Sequence, residues 1–66
     1  MTTETKITIR ARAFQGILET VRCSVEADGT VRVYDDVAGH YTRCHSLSAR
    51  DLGRVRAAAR RVEVAS

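Results

Sequence analysis

The sequence predicts an α+β fold: an antiparallel four-stranded β-meander packed against one C-terminal α-helix (ββββα). Three observations predict it. Apolar residues alternate at period two through most of residues 1–47, glycine-bearing breaks interrupt that alternation, and an apolar stripe at helical spacing begins after Ser48. The chain has 66 residues, a length that suits one small domain spanning residues 1–66.

In the first strand, about residues 6–13, Ile7, Ile9, Ala11 and Ala13 fall on one side, with Lys6, Thr8, Arg10 and Arg12 on the other. Phe14-Gln15-Gly16 is a break suited to a tight turn. The second strand, about 17–26, turns Val21, Cys23 and Val25 inward and Thr20, Arg22 and Ser24 outward; Glu19 breaks the pattern near its start, where an edge or bulge exposes it. Asp28-Gly29 between alternating runs predicts a type I′ hairpin turn, which needs positive φ at both central residues. The third strand, about 30–34, carries Val31 and Val33 inward and Arg32 and Tyr34 outward. Asp35 to Gly39 reads as a second hairpin loop.

The fourth strand, about 40–46, has two registers. Placing Thr42 and Cys44 inward leaves Tyr41, Arg43 and His45 outward. The opposite register desolvates the Arg43 guanidinium, which is costly, so the first is preferred, with a bulge that turns Leu47 in. Ser48-Ala49-Arg50-Asp51 then matches a capping box that starts a helix over about 49–62. Leu52, Val55, Ala59 and Val62 form its apolar stripe; Arg50, Arg54 and Arg61 lie opposite, with Arg56 and Arg60 on the flanks. Gly53 costs about 1 kcal/mol relative to alanine, which Ala57 to Ala59 help to offset. Residues 63–66 are expected to fray.

A chain this short has no room for a core plus a deep enclosed substrate pocket, which argues against an enzyme. No Gly-x-Ser-x-Gly elbow and no glycine-rich phosphate loop is present. Asp35-Asp36 reads as a turn former. Cys23, His40, Cys44 and His45 are all the thiols and imidazoles. The cysteines are far apart in sequence, and Cys44 and His45 are neighbours in a predicted strand, so they point to opposite faces. Neither a zinc site nor a catalytic dyad is expected, nor any cofactor. Both cysteines read as small buried hydrophobes; a cross-strand disulfide is the alternative. Residues 1–6 lack the basic and apolar regions of a signal peptide, and no apolar run approaches the roughly 18 residues of a membrane helix. A cytoplasmic protein with reduced thiols, off the membrane, is expected.

The formal net charge is +3, with ten Arg and one Lys. Through Leu47 six basic and six acidic residues cancel; after it, five Arg face Asp51 and Glu63. Yet the outer sheet face gathers all the basic residues that precede the helix. The candidate binding residues are Arg10, Arg12, Arg22, Arg32, Tyr34, Tyr41, Arg43 and His45. Guanidinium groups neutralise phosphate, and tyrosine or histidine stacks on bases, so the pattern points first to nucleic acid. The competing explanation is plain: one face of such a sheet must be polar, and in an Arg-rich chain that polarity is arginine. The alternative partner is an acidic protein surface, bound by an accessory factor or inhibitor encoded by a phage or other mobile element and acting on a host complex.

The stretch Gly29-Thr30-Val31-Arg32-Val33-Tyr34, a turn, His40-Tyr41-Thr42-Arg43 and a capped helix resembles the arm-type DNA-binding domain of tyrosine integrases, over roughly residues 17–61. The resemblance implies a three-stranded sheet that enters the major groove, with Arg22, Arg32 and Arg43 facing DNA. The chain departs from that family in its Asp35-Asp36 turn, where the family has a basic Gly-Lys-Arg turn, in lacking the family's strand aromatic, and in its added first strand.

A meander leaves two open edges that can template pairing, so a homodimer is expected. From sequence, the sheet face rather than the helix should carry binding. Arg32→Ala with Arg43→Ala should weaken partner binding more than Arg54→Ala with Arg61→Ala, measured at equal folded stability; the reverse ranking would place the site on the helix.

Overall fold

The structure, a computed structural model, describes residues 4–65. The leader reading of residues 1–6 and the fraying of Ser66 therefore fall wholly or partly outside it. Strands β1 (Glu4–Ala11), β2 (Glu19–Glu26), β3 (Val31–Asp35) and β4 (His40–Thr42) precede helix α1 (Ala49–Ala65). The strands form one antiparallel sheet in the order β1-β2-β3-β4. This is the α+β meander-plus-helix that the alternation predicts.

Register follows the hydrophobic pattern. Ile7 pairs with Cys23, Ile9 with Val21, Cys23 with Val33 and Val25 with Val31. All of these point to the helix side, because side chains alternate across a strand. Val21, Cys23, Val25, Val31 and Val33 are buried there with Ala11, Ala13, Leu47, Val55 and Ala59. Ile7, Ile9, Phe14 and Leu52 pack against this core half-buried. At the start of α1 the Ser48 hydroxyl accepts the Asp51 amide at 3.1 Å, which satisfies an otherwise orphaned N–H. The reciprocal half of the capping box is absent from the bonds seen: the Asp51 carboxylate accepts from Arg54 Nη1 at 2.9 Å instead.

Several boundaries differ from those read in the sequence. β1 ends at Ala11, so Arg12 and Ala13 leave the strand, and Arg12 Nε donates to the Gly16 carbonyl at 3.1 Å. β2 begins at Glu19, leaving Ile17 and Leu18 in the connection. β3 runs one residue later than expected. β4 is only three residues long. Its continuation is pre-empted by local bonds, Cys44 N–H to Thr42 Oγ1 at 3.0 Å and His45 N–H to Arg43 O at 3.1 Å, which compete with a ladder. Cys44 is consequently exposed rather than inward, and Leu47 reaches the core. The helix runs on to Ala65, beyond the expected end at 62, and Val62 is half-exposed rather than part of a buried stripe.

The type I′ geometry lies in a different turn from the one expected. At Asp28-Gly29 only Gly29 has positive φ, at 90°. Gly29 N–H bonds Glu26 O and Glu26 N–H bonds Thr30 O, both at 2.9 Å. This is a three-residue loop with glycine in the left-handed position. The Asp28 carboxylate accepts the Thr30 amide at 2.9 Å and holds that loop. Positive φ at two successive residues occurs instead at Gln15 (53°) and Gly16 (70°), closed by Ile17 N–H to Phe14 O at 3.2 Å.

Gln15 therefore carries strain that a residue tolerant of the left-handed region relieves. Gln15→Asn should raise stability by roughly 0.5–1 kcal/mol, seen as a higher melting temperature. Gly29→Ala should cost about 1–2 kcal/mol. That cost would come from backbone strain alone, since an added Cβ there meets nothing nearer than Arg56 Nε at 3.9 Å.

Candidate binding surfaces

The outer sheet face carries Lys6, Thr8 and Arg10 from β1, Arg22 and Ser24 from β2, Arg32 and Tyr34 from β3, and Tyr41 from β4, as the strand register requires. No second layer covers it, yet Ser24 at its centre is only 1% exposed. The cover comes from the long side chains around it. Lys6 Nζ lies 5.4 Å from the centre of the Tyr41 ring. The Arg22 guanidinium stacks 4.0 Å above the Tyr34 ring. The two tyrosines meet edge to face, with centroids 5.2 Å apart and planes at 75°.

Carboxylates neutralise most of these cations. Lys6 pairs with Glu4 at 3.6 Å, Arg22 with Asp36 at 3.5 Å and Arg32 with Glu26 at 2.9 Å. Glu4 also accepts the Ser24 hydroxyl at 3.1 Å, which ties the pair to the sheet centre. Arg32 Nε is buried without a hydrogen-bond partner among the described residues. Among those residues Arg10 and Arg43 are exposed and have no carboxylate within 4 Å. The Thr30 amide and hydroxyl hold the Asp28 carboxyl below its ordinary range, and the charge of Arg43 adds a smaller push in the same direction.

The structure thus brings together Arg22, Arg32, Tyr34 and Tyr41 and keeps Arg10 on the same face. Arg12 sits in the β1–β2 connection. Arg43 follows β4 at a bend. His45 is engaged by the backbone: its Nδ1 accepts the Leu47 amide at 3.3 Å, so the proton sits on Nε2, which donates to Val31 O at 3.4 Å. The ring thereby ties the segment after β4 to β3. Asp35 is the turn former expected of it, accepting the Val37 and Ala38 amides at 2.9 and 3.2 Å. Asp36 is instead the partner of Arg22.

A second surface lies at the loop end of the sheet. A cleft of about 360 Å³ opens between the β1–β2 and β3–β4 connections, lined by Phe14, Ile17, Arg22, Tyr34, Asp36 and Val37. Val37 at the loop tip is 98% exposed and Ile17 across the cleft 56% exposed. Leu18 is exposed beside a neighbouring cleft that Arg10, Arg12 and Arg54 also line. None of these aliphatic residues is among the candidate binding residues of the sequence, where the Asp35–Gly39 loop is only the alternative to the basic face. The available signals were Ile17-Leu18, two consecutive apolar residues where alternation demands one, and Val37 inside an acidic, glycine-closed loop.

Cys23, His40, Cys44 and His45 are not gathered, and among the described residues no group of three or more metal-ligating side chains forms. Both thiols are free. Among the described residues no helix is long and apolar enough to cross a membrane. Comparisons with family models, with curated proteins and with solved structures find no match to this chain.

Burial pushes the Cys23 thiol up from 9.0 to about 11. At mildly alkaline pH a thiol reagent should therefore modify Cys44 quickly and Cys23 only at the rate of unfolding. Because the raised value belongs to the folded state, the contribution of Cys23 to stability is intact below about 9 and is lost as pH rises towards about 11. The stability margin of wild type over Cys23→Ala should shrink across that window in urea titrations. Equal labelling of both thiols would contradict the burial of Cys23.

Proposed function

We propose that the chain is a non-enzymatic binding protein that docks on another protein through the loop end of its sheet. The observation that carries this reading is the exposure of Val37 and Ile17 on either side of one cleft. Neither side chain contributes to the core. Burying an aliphatic side chain of this size in an interface releases roughly 1.5–3 kcal/mol. Arg22 and Asp36 supply a polar rim of the kind interfaces carry around an apolar centre. The net charge of +3 adds long-range attraction to an acidic partner, which salt screens, while Asp35 and Asp36 place negative charge at the cleft itself.

A second reading, nucleic-acid contact through the outer face, draws its support from Arg10 and Arg43, the exposed cations of that region free to take phosphates. The engagement of Lys6, Arg22 and Arg32 by carboxylates weighs against it, because phosphate must compete with bonds already made. Arg22 and Tyr41 also occupy Tyr34, which limits it as a stacking platform.

The two readings separate experimentally. Wild type, Val37→Asp and Arg32→Ala/Arg43→Ala are compared for capture of partners from native lysate, with and without nuclease. Titration of labelled duplex DNA and single-stranded RNA across salt concentrations runs alongside. The docking reading expects nuclease-resistant capture that Val37→Asp weakens at least about tenfold, while the arginine variant retains it. Nuclease-sensitive capture lost in the arginine variant, with a salt slope reduced by about one unit per lost phosphate contact, would replace docking with nucleic-acid binding.

A further inference from the structure

We propose that β1 is an interface between two copies of this chain, joined as antiparallel neighbours about a twofold axis at Ile7 so that their sheets become continuous. This goes beyond the docking surface, which lies on the loops.

The sheet order leaves β1 and β4 at the edges. β4 has three residues before the chain bends away, whereas β1 has eight in uninterrupted register with β2. Its outward backbone groups follow from the ladder. Glu26 N–H bonds Thr30 O at 2.9 Å, so the polar groups of Glu26 face β3. Alternation along an antiparallel strand then turns those of Val21, Cys23 and Val25 towards β1. Their partners Ile9, Ile7 and Thr5 face β2, and Glu4, Lys6, Thr8 and Arg10 present N–H and C=O to the open edge. Arg54 Nη1 reaching Arg10 O at 3.2 Å agrees with that direction, and pairing has to share or displace that one bond.

Edges are commonly blunted by proline, a bulge or charge. β1 has neither proline nor bulge. Its charges select a register rather than forbid pairing. An axis at Lys6 sets that cation against its own copy, and an axis at Thr8 sets Lys6 against Arg10. An axis at Ile7 sets Arg10 against Glu4 twice, by symmetry, and Lys6 against Thr8. Arg10 has no carboxylate within 4 Å among the described residues, and Glu4, which accepts the Ser24 hydroxyl at 3.1 Å, holds Lys6 only at 3.6 Å. Residues 4, 6, 8 and 10 then form the hydrogen-bonded pairs of the new ladder. Ile7 meets its copy in a non-hydrogen-bonded pair, the closer kind. That contact covers an isoleucine that the monomer leaves half-buried on the helix side.

Sedimentation velocity from low micromolar to millimolar concentration tests the proposal. Wild type is expected to dimerise. Arg10→Glu, which puts like charges opposite each other twice, should raise the dissociation constant by about tenfold or more. The double swap Glu4→Arg/Arg10→Glu should return it to within a few fold of wild type. Thr8→Pro removes an edge N–H without touching the β1–β2 ladder and should give a monomer; its melting curve checks the fold, and it decides the matter if a charge variant fails to fold. A wild type that stays monomeric at millimolar concentration overturns the proposal. So do a Thr8→Pro protein that still dimerises and a double swap no better than Arg10→Glu.

Discussion

One helix cannot cover both faces of a four-stranded sheet. α1 and Leu47 seal the inner face of this one, and the outer face has to close over itself. Much of the side-chain arrangement follows from that constraint. Ser24 sits in the middle of the uncovered face and is nevertheless buried, because long side chains lie across it. Arginine suits this role better than lysine. Its planar guanidinium can stack on a ring and hydrogen-bond a carboxylate at once, as Arg22 does with Tyr34 and Asp36. The methylene stems of these cations supply the apolar cover that a second layer would otherwise give.

The same arrangement changes what the face offers a ligand. An exposed ion pair contributes roughly 0–1 kcal/mol and an exposed cation–π contact about 0.5–1 kcal/mol. No single one of these would stop a phosphate. Their joint effect is on charge: Glu4, Asp36 and Glu26 sit against Lys6, Arg22 and Arg32, so the centre of the face presents little net field. Positive charge without an ion pair is displaced to Arg10 and Arg43 and to α1, where among the described residues Arg50 and Arg61 have no carboxylate within 4 Å. Such a distribution gives long-range attraction to negative charge, which salt screens, rather than a continuous row of free cations along one surface.

The inside and outside of each strand were legible in the sequence because period two leaves a side chain only two choices. Ile7, Val21, Cys23, Val25, Val31 and Val33 lie on the face the alternation assigned. What alternation could not convey was anything decided by bonds between distant residues. The pairing of Arg22 with Asp36 and of Arg32 with Glu26 depends on which strand lies beside which and how strongly the sheet twists. The alternation extends β4 to residue 46, but Thr42 takes the Cys44 amide and ends the strand, a local bond invisible to a hydropathy pattern. Residue preference puts a two-residue left-handed turn at Asp28-Gly29, whereas that loop closes over three residues with only Gly29 left-handed and the two-residue turn forms at Gln15-Gly16. Ile17 and Val37 give no periodic signal, because a lone aliphatic residue in a loop has none; their common cleft is visible only in the fold.

The loop end and the β1 edge occupy different parts of the sheet, and their geometry is coupled. In an antiparallel β1–β1 pair, the end of one copy that carries the 12–18 and 36–39 connections lies beside the opposite end of the other. The two clefts lined by Ile17 and Val37 then sit at the two ends of the joined sheet and point apart. They cannot close on one contiguous epitope. A dimer built this way would bridge two partner molecules or two separated sites on one assembly, and its avidity would depend on their spacing. A monomer would instead present a single cleft with a weak apolar contact. If both proposals hold, edge pairing would set how firmly so small a surface holds a partner, because two modest clefts held rigidly apart would bind together what neither retains alone.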